Sequence, residues 1–288
     1  TGCSESISRL RLMTKAQILE DLNAMQKILF PADAALTQAS VLEQTTPDSM
    51  LDDLRSKITY TFPEIPDVDF QVKYVPEAMQ DYLSPAFYMI PAIDNLAENV
   101  IYINNGQTAS GLNLYTTLAH EGYPGHLYQT VYFSASDPDP IRNILDFGGY
   151  VEGWATYAEM MSYYLAPLSK PEASLLQKNS SVILGLYALA DIGIHYDGWS
   201  VTDTVRFFSD YGINDADAIQ SVYELIIGSP SNYLKYYIGY LKFYELKKEM
   251  ADALGNKFSQ KEFHRAVLDV GPAPFEIVYD EVKKDLLD

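Results

Sequence analysis

A mainly α-helical fold with one small antiparallel β-sheet is predicted by three observations. Apolar residues recur at helical spacing through most of the chain after residue 105. Three short runs rich in Val, Ile, Tyr and Phe stand together just before that point, and Pro, Asn and Asp separate them. A chain of 288 residues, 48% of them hydrophobic and 13% aromatic, is also long enough to bury a substantial core.

The first element follows from Thr14-Lys-Ala-Gln17, a capping-box pattern, and from Ile18, Leu19, Leu22, Met25, Ile28 and Leu29, which recur at helical spacing. Together they predict a helix over 14 to 30. Residues 31 to 66 are turn-rich, with prolines at 31, 47, 63 and 66 around a short helix at "SMLDDLRSKI". This stretch reads as a shoulder, so that 1–66 form an N-terminal helical region and 67–288 a second domain. The runs "VDFQVKYV", "AFYMIPA" and "NVIYINN" predict the sheet, which is expected to be antiparallel. Helices then follow near 108 to 134, 140 to 165, 171 to 195, 201 to 210, 214 to 227, 231 to 254, 259 to 269 and 274 to 287.

Charge narrows the partners. With 39 acidic against 20 basic residues the net charge is -19, which argues against nucleic acid and anionic membrane surfaces. No apolar run reaches the roughly 18 residues of a membrane span. The single cysteine, Cys3, excludes an internal disulfide framework and a thiolate metal site. Thr1-Gly2-Cys3 also resembles the end of a lipoprotein processing site, against the plainer reading of a thiol near a truncated end. Localisation, extracytoplasmic or cytoplasmic, and oligomeric state stay open.

Chemistry concentrates in "LAHEGYPGH", residues 118 to 126. In the familiar His-Glu-x-x-His helix, two histidines four residues apart share one face. Here His120 and His126 are six apart. On an unbroken helix that is about 600°, which would turn His126 roughly 240° away from His120. Pro124 and Gly125 offer a remedy, because proline lacks the N–H that would bond to the carbonyl of residue 120 and glycine tolerates unusual backbone angles. The helix is therefore expected to be broken or bulged between Gly122 and Gly125.

"GYVEGWATYAEM" adds Glu152, 26 residues past His126, a distance that fits a turn and a return on an antiparallel helix. Two imidazoles and one carboxylate are a ligand set for Zn2+ that leaves a position open, and Glu121 would take a proton from water there. Metal bonds of about 2 Å require the three ligand atoms to converge to within roughly 4 Å. Spacing alone leaves both a metal site and a helix kinked for packing in play.

"HEGYPGH" followed by "EGWATYAE" resembles the signature of a bacterial family, the domain-of-unknown-function 885 proteins, itself similar to the glutamate zincin peptidases. The likeness continues in "DIGIHYDGWS", "NYLKYYIGYLKFYELK" and "FHRAVLDVGPAP". It implies a zincin-like domain in which His120, His126 and Glu152 hold Zn2+ and Glu121 is the general base. Many relatives carry a second histidine directly after the motif, where Leu127 stands here. Members are usually longer, so the chain resembles a C-terminal half.

The resemblance also implies that His195 lies near substrate as a donor to the tetrahedral intermediate. Asp191, four residues earlier, would form a polar pair with it, either aimed at a cleft or buried for structure. Tyr233, Tyr236, Tyr237, Tyr240 and Tyr244 form a stripe that reads as core by spacing. "YYIGY" nevertheless resembles the segment from which glutamate zincins draw an oxyanion-stabilising tyrosine, which selects Tyr236 and then Tyr240. Glu159, seven residues past Glu152, reads as a solvated charge or as an outer partner of the metal site. Trp154 reads as packing, and His264 as a core or cap residue whose place in a resembling block keeps a substrate role open.

The expected function is zinc-dependent hydrolysis of a peptide or small amide, with the cleavage position undetermined. An edge strand of the sheet would suit an extended peptide. The rival is a non-catalytic acidic binding or envelope lipoprotein that retains the fold, and Glu121 speaks against it because a structural metal site has no use for that carboxylate.

Overall fold

The structure, a computed structural model, describes residues 2–29, 42–93, 95, 97–107 and 111–288. In chain order these form α1 (Gly2–Leu29), α2 (Pro47–Lys57), β1 (Phe70–Tyr74), β2 (Ala86–Met89), β3 (Asn99–Ile103), α3 (Leu112–Glu121) and α4 (His126–Ala135). There follow α5 (Gly148–Ser162), α6 (Lys170–Asp197), α7 (Val201–Ser209), α8 (Ala216–Gly228), α9 (Asn232–Leu254), α10 (Gln260–Val270) and α11 (Phe275–Leu287). The fold is mainly α with one three-stranded sheet among the described residues. No described helix is long and apolar enough to cross a membrane. The Cys3 side chain lies outside the described residues.

The chain divides into two compact units, one of Thr1–Leu36 with Lys170–Gly239 and the other of Thr37–Ser169 with Tyr240–Asp288. The boundary expected at residue 66 falls inside the second. In the first unit α1 packs along α6, and a core of Ile18, Val182, Leu186, Leu189, Ile194, Phe208, Ile219 and Ile226 joins α1, α6, α7 and α8. Helix α1 begins a dozen residues before the capping-box pattern, so Thr14 lies mid-helix with its side chain buried. Its expected apolar pattern is buried only in part, with Ile18 in the core and Met25 packed against it. Thr14, Gln17 and Asp21 are buried against α6, whereas Leu19, Leu22 and Leu29 are exposed. Lys178 of α6 partners Asp21, its Nζ donating to Asp21 Oδ1 at 2.9 Å, with Gln17 Nε2 donating to the same oxygen at 3.0 Å. A carboxylate so paired is held inward beside Ile18 without being left as a lone buried charge.

In the second unit the strand order is β1-β3-β2, with β2 antiparallel to β3 and β1 parallel to it. The sheet is therefore mixed rather than antiparallel. A parallel pair needs a long crossover, and the connection from β1 to β3 supplies one that includes β2 itself. Asn99, Ile101 and Ile103 of β3 turn inward. Leu51 of α2 and Ile101 close around Gly122 at the end of α3. Phe62 stacks on His264 with ring centroids 3.9 Å apart, and Trp154 meets Phe62 and Phe243 edge-on at 6.1 and 5.8 Å. This aromatic core holds α4, α5, α9 and α10 around the motif helix.

Candidate metal centre

The interruption expected in the motif helix is present. Helix α3 ends at Glu121, where Gly122 N–H donates to Leu118 O at 2.8 Å, and α4 starts at His126. Between them Gly125 N–H reaches back six residues to Ala119 O at 2.9 Å, which spools the extra two residues into a loop. A Cβ at Gly125 would stand 1.8 Å from His120 O, so only glycine fits there. Trp154 Nε1–H donates to Pro124 O at 2.9 Å and ties the loop to α5. His126 is returned in this way to His120, with ring centroids 4.8 Å apart and planes at 80°.

Helix α5 delivers Glu152 from its second turn. Glu152 Oε2 lies 3.6 Å from His120 Nε2 and 3.3 Å from His126 Nε2, inside the expected 4 Å. The three ligand atoms together span up to 4.8 Å, wider than the roughly 4 Å expected of a closed site, so the two imidazoles would have to move toward each other to share an ion. Glu152 Oε2 is buried without a well-formed hydrogen bond. An orphaned carboxylate oxygen facing two imidazole nitrogens is a donor set that fits Zn2+.

Outer contacts orient these groups. Glu159 Oε2 lies 3.1 Å from His120 Nδ1, so this glutamate meets the histidine instead of standing free in solvent. A ligating imidazole whose other nitrogen faces a carboxylate is held in one tautomer and made more basic. Glu121 Oε2 accepts the main-chain N–H of Tyr88 at 2.8 Å. One N–H of strand β2 is thereby occupied, which restricts where an extended peptide could pair with that strand.

The electrostatics follow from burial and neighbours. Burial disfavours the imidazolium of His120, but the Glu152 and Glu159 carboxylates facing its two ring nitrogens outweigh it and carry the pKa up to about 10. Burial pushes Glu152 up, yet His120 and His126 together hold it well below the usual carboxylate range. Glu121 is raised, chiefly by burial, with the two histidines and the Tyr88 N–H opposing. A carboxylate moved toward neutrality is a better base near pH 7.

The remaining candidates are placed differently. His195 and Tyr236 belong to the first unit, and Tyr240 and the four motif carboxylates and imidazoles to the second. His195 Nε2 donates to Ile226 O at 2.9 Å, at the end of α8. Asp191 accepts the N–H groups of Ser231 and Tyr233 at 3.0 and 3.2 Å, so it caps the start of α9 from α6. The Asp191 and His195 pair thus serves helix termini. Tyr236 is half-buried, and Tyr240 is buried and stacked on Tyr244 at 5.9 Å. His264 is fully buried, with Nδ1 donating to Thr61 O at 2.6 Å and Nε2 facing Tyr157 Oη at 2.7 Å, which assigns it to the core. Sequence reasoning missed Tyr88, since a backbone N–H leaves no signal in residue type. A groove of about 500 Å³ between Arg142, Phe147, Val270 and Ile277 holds none of the candidate residues.

Comparison with known proteins places these features in a lineage. The model of a bacterial family described as proteins of unknown function, DUF885, matches residues 5–282. A structure described as "the putative lipoprotein from Colwellia psychrerythraea" superimposes with a TM-score of 0.80 at 22% identity, covering 97% of this chain and 52% of that one. A second, described as "a putative lipoprotein of unknown function from Shewanella oneidensis", gives 0.72 at 19% identity and covers 95% and 56%. The chain spans about half the length of these two proteins, and at such identity the likeness is one of fold. No curated protein matches the chain.

Proposed function

The chain belongs to the bacterial DUF885 family, and from that premise we propose that it is a zinc-dependent hydrolase of peptide or small amide bonds, built like a glutamate zincin. The observation that carries this reading is the convergence of His120, His126 and Glu152, with Glu121 adjoining the first ligand. Zn2+ held there would supply Lewis acidity to a substrate carbonyl. To ligate through Nε2, His120 must be a neutral imidazole, which would give up the Nε2 proton facing Glu152 and keep the Nδ1 proton toward Glu159. Glu121 takes the proton of the attacking water and passes it to the leaving amine. Tyr88 N–H keeps the Glu121 carboxylate facing the site. For the oxyanion donor the resemblance offers Tyr236 and then Tyr240, whereas the Nε2 of His195 is already engaged by Ile226 O. An envelope lipoprotein anchored at Cys3 is compatible with this chemistry.

The test pairs metal analysis with a peptide-library cleavage assay on wild type and Glu121→Gln. Glu121→Gln should retain zinc and lose roughly 10²–10⁴-fold in turnover. Zinc bound stoichiometrically with no cleavage by wild type, in this chain and in the longest polypeptide its gene encodes, favours the non-catalytic binding protein instead. Failure to take up any transition metal on reconstitution removes the site.

A further inference from the structure

The groove of about 500 Å³ in the second unit changes character along its length. Helices α10 and α11 run back along each other from the turn at Pro272-Ala273-Pro274, as the bond from Arg265 to Asp285 at 2.6 Å requires. On α11, Ile277, Glu281 and Asp285 stand four residues apart and share the face that lines the groove. Eight residues of helix separate the first from the last by about 12 Å. The turn end is apolar, walled by Leu145, Phe147, Ala273, Pro274 and Ile277. Leu145 and Ile277 are 47 and 51% exposed, so the groove is open to solvent along this wall.

The other end is acidic. Asp269, Glu281 and Asp285 line it, and Arg265 beside them is one guanidinium divided among Asp269, Asp285 and Glu262. Glu281 meets Lys284 at 3.7 Å on exposed surface, a pair that neutralises little. The guanidinium that does line the groove, Arg142, is spent at the turn, where it donates to Val270 O and Pro272 O at 2.7 and 2.9 Å. With 39 acidic against 20 basic residues, the whole chain adds a field of the same sign. We infer that this groove binds a short extended peptide segment of a partner, in which an apolar residue is followed by Lys or Arg. The 12 Å between its two ends sets that separation at about three or four residues of extended chain. The apolar side chain lies against Phe147, Pro274 and Ile277, and the cation reaches Glu281 and Asp285. The inference stands apart from the metal centre, none of whose ligands lines the groove.

Isothermal titration of the chain with the end-blocked peptide Phe-Leu-Ala-Gly-Lys-Arg tests this, with a chelator present so that no hydrolysis at the metal centre intervenes. Two controls replace Lys-Arg by Glu-Glu and Phe-Leu by Ser-Ser. The first peptide should bind at least about tenfold tighter than either control. Glu281→Lys and Ile277→Asn, both at exposed positions, should each weaken it by about tenfold and leave the melting midpoint unchanged. Binding that neither variant weakens overturns the groove as its site. Equal binding of the Glu-Glu control overturns the charge selection, and equal binding of the Ser-Ser control overturns the inference in favour of general attraction to an acidic surface. Absence of binding by all three peptides overturns it outright. Self-association of the chain that Ile277→Asn disperses overturns it in favour of a second copy.

Discussion

At Gly125 a Cβ would sit 1.8 Å from the carbonyl oxygen of His120 and 2.5 Å from that of Ala119, both of them backbone atoms that no rotamer can move. Gly125→Ala is therefore expected to destabilise the chain by more than about 3 kcal/mol, the upper range for ordinary substitutions, and to abolish stoichiometric zinc uptake. Thermal melts and metal analysis check this; a variant that melts normally and binds zinc would show that the loop has another conformation within reach. Glu159 makes a gentler test. Glu159→Gln removes the carboxylate facing His120 Nδ1 and should weaken zinc affinity by about 10–100-fold while leaving the fold intact. Competition with a chromophoric chelator measures it, and unchanged affinity would return Glu159 to an ordinary half-exposed charge.

Among the elements, α5 and α10 carry a prediction about acid stability. Burial holds the pKa of His264 down to about 3 against 6.5 when exposed, Lys247 adding to the effect. The unfolded chain therefore binds this proton at a pH where the folded chain does not. Stability from this residue is present above about 6.5 and falls as the pH drops through that value toward 3. Denaturant midpoints followed from pH 8 to 4 should decline in wild type and decline less steeply in His264→Asn, which retains a donor for Thr61. Parallel profiles would place the acid sensitivity elsewhere. The same elements show why spacing was informative for α5 but not for α1. Glu152 on α5 meets His126 as its separation from the motif implied, whereas on α1 only Ile18 and Met25 of the apolar pattern turn to the core, beside Asp21 and Lys178, and Leu19, Leu22 and Leu29 face outward.

For the molecule as a whole, metal and fold are coupled wherever three ligands come from different elements. His120 lies in the last turn of α3, His126 opens α4 and Glu152 rides on α5, so zinc would join three separate helices. Addition of zinc at about 100 times its dissociation constant should stabilise the chain by ~2.7 kcal/mol, and a chelator should reverse it. A melting midpoint indifferent to zinc and chelator would count against the centre. His195→Ala, which removes the donor to Ile226 O in the first unit, should leave this metal response unchanged.

Local pattern was enough to determine the mainly helical class, the positions of nearly all helices and strands, and the break between Glu121 and His126. Those depend on periodicity, proline and glycine, which act over a few residues. The pairing of β1 with β3 in parallel, the Tyr88 N–H on Glu121, the Glu159 contact to His120 and the inward turn of Asp21 were decided only in the tertiary structure. Each joins groups brought together across long stretches of chain or from different faces, and what decides it is the cost of leaving a buried charge or strand edge unpaired. Residue type names the chemistry available at a position; the packed fold selects which partner satisfies it.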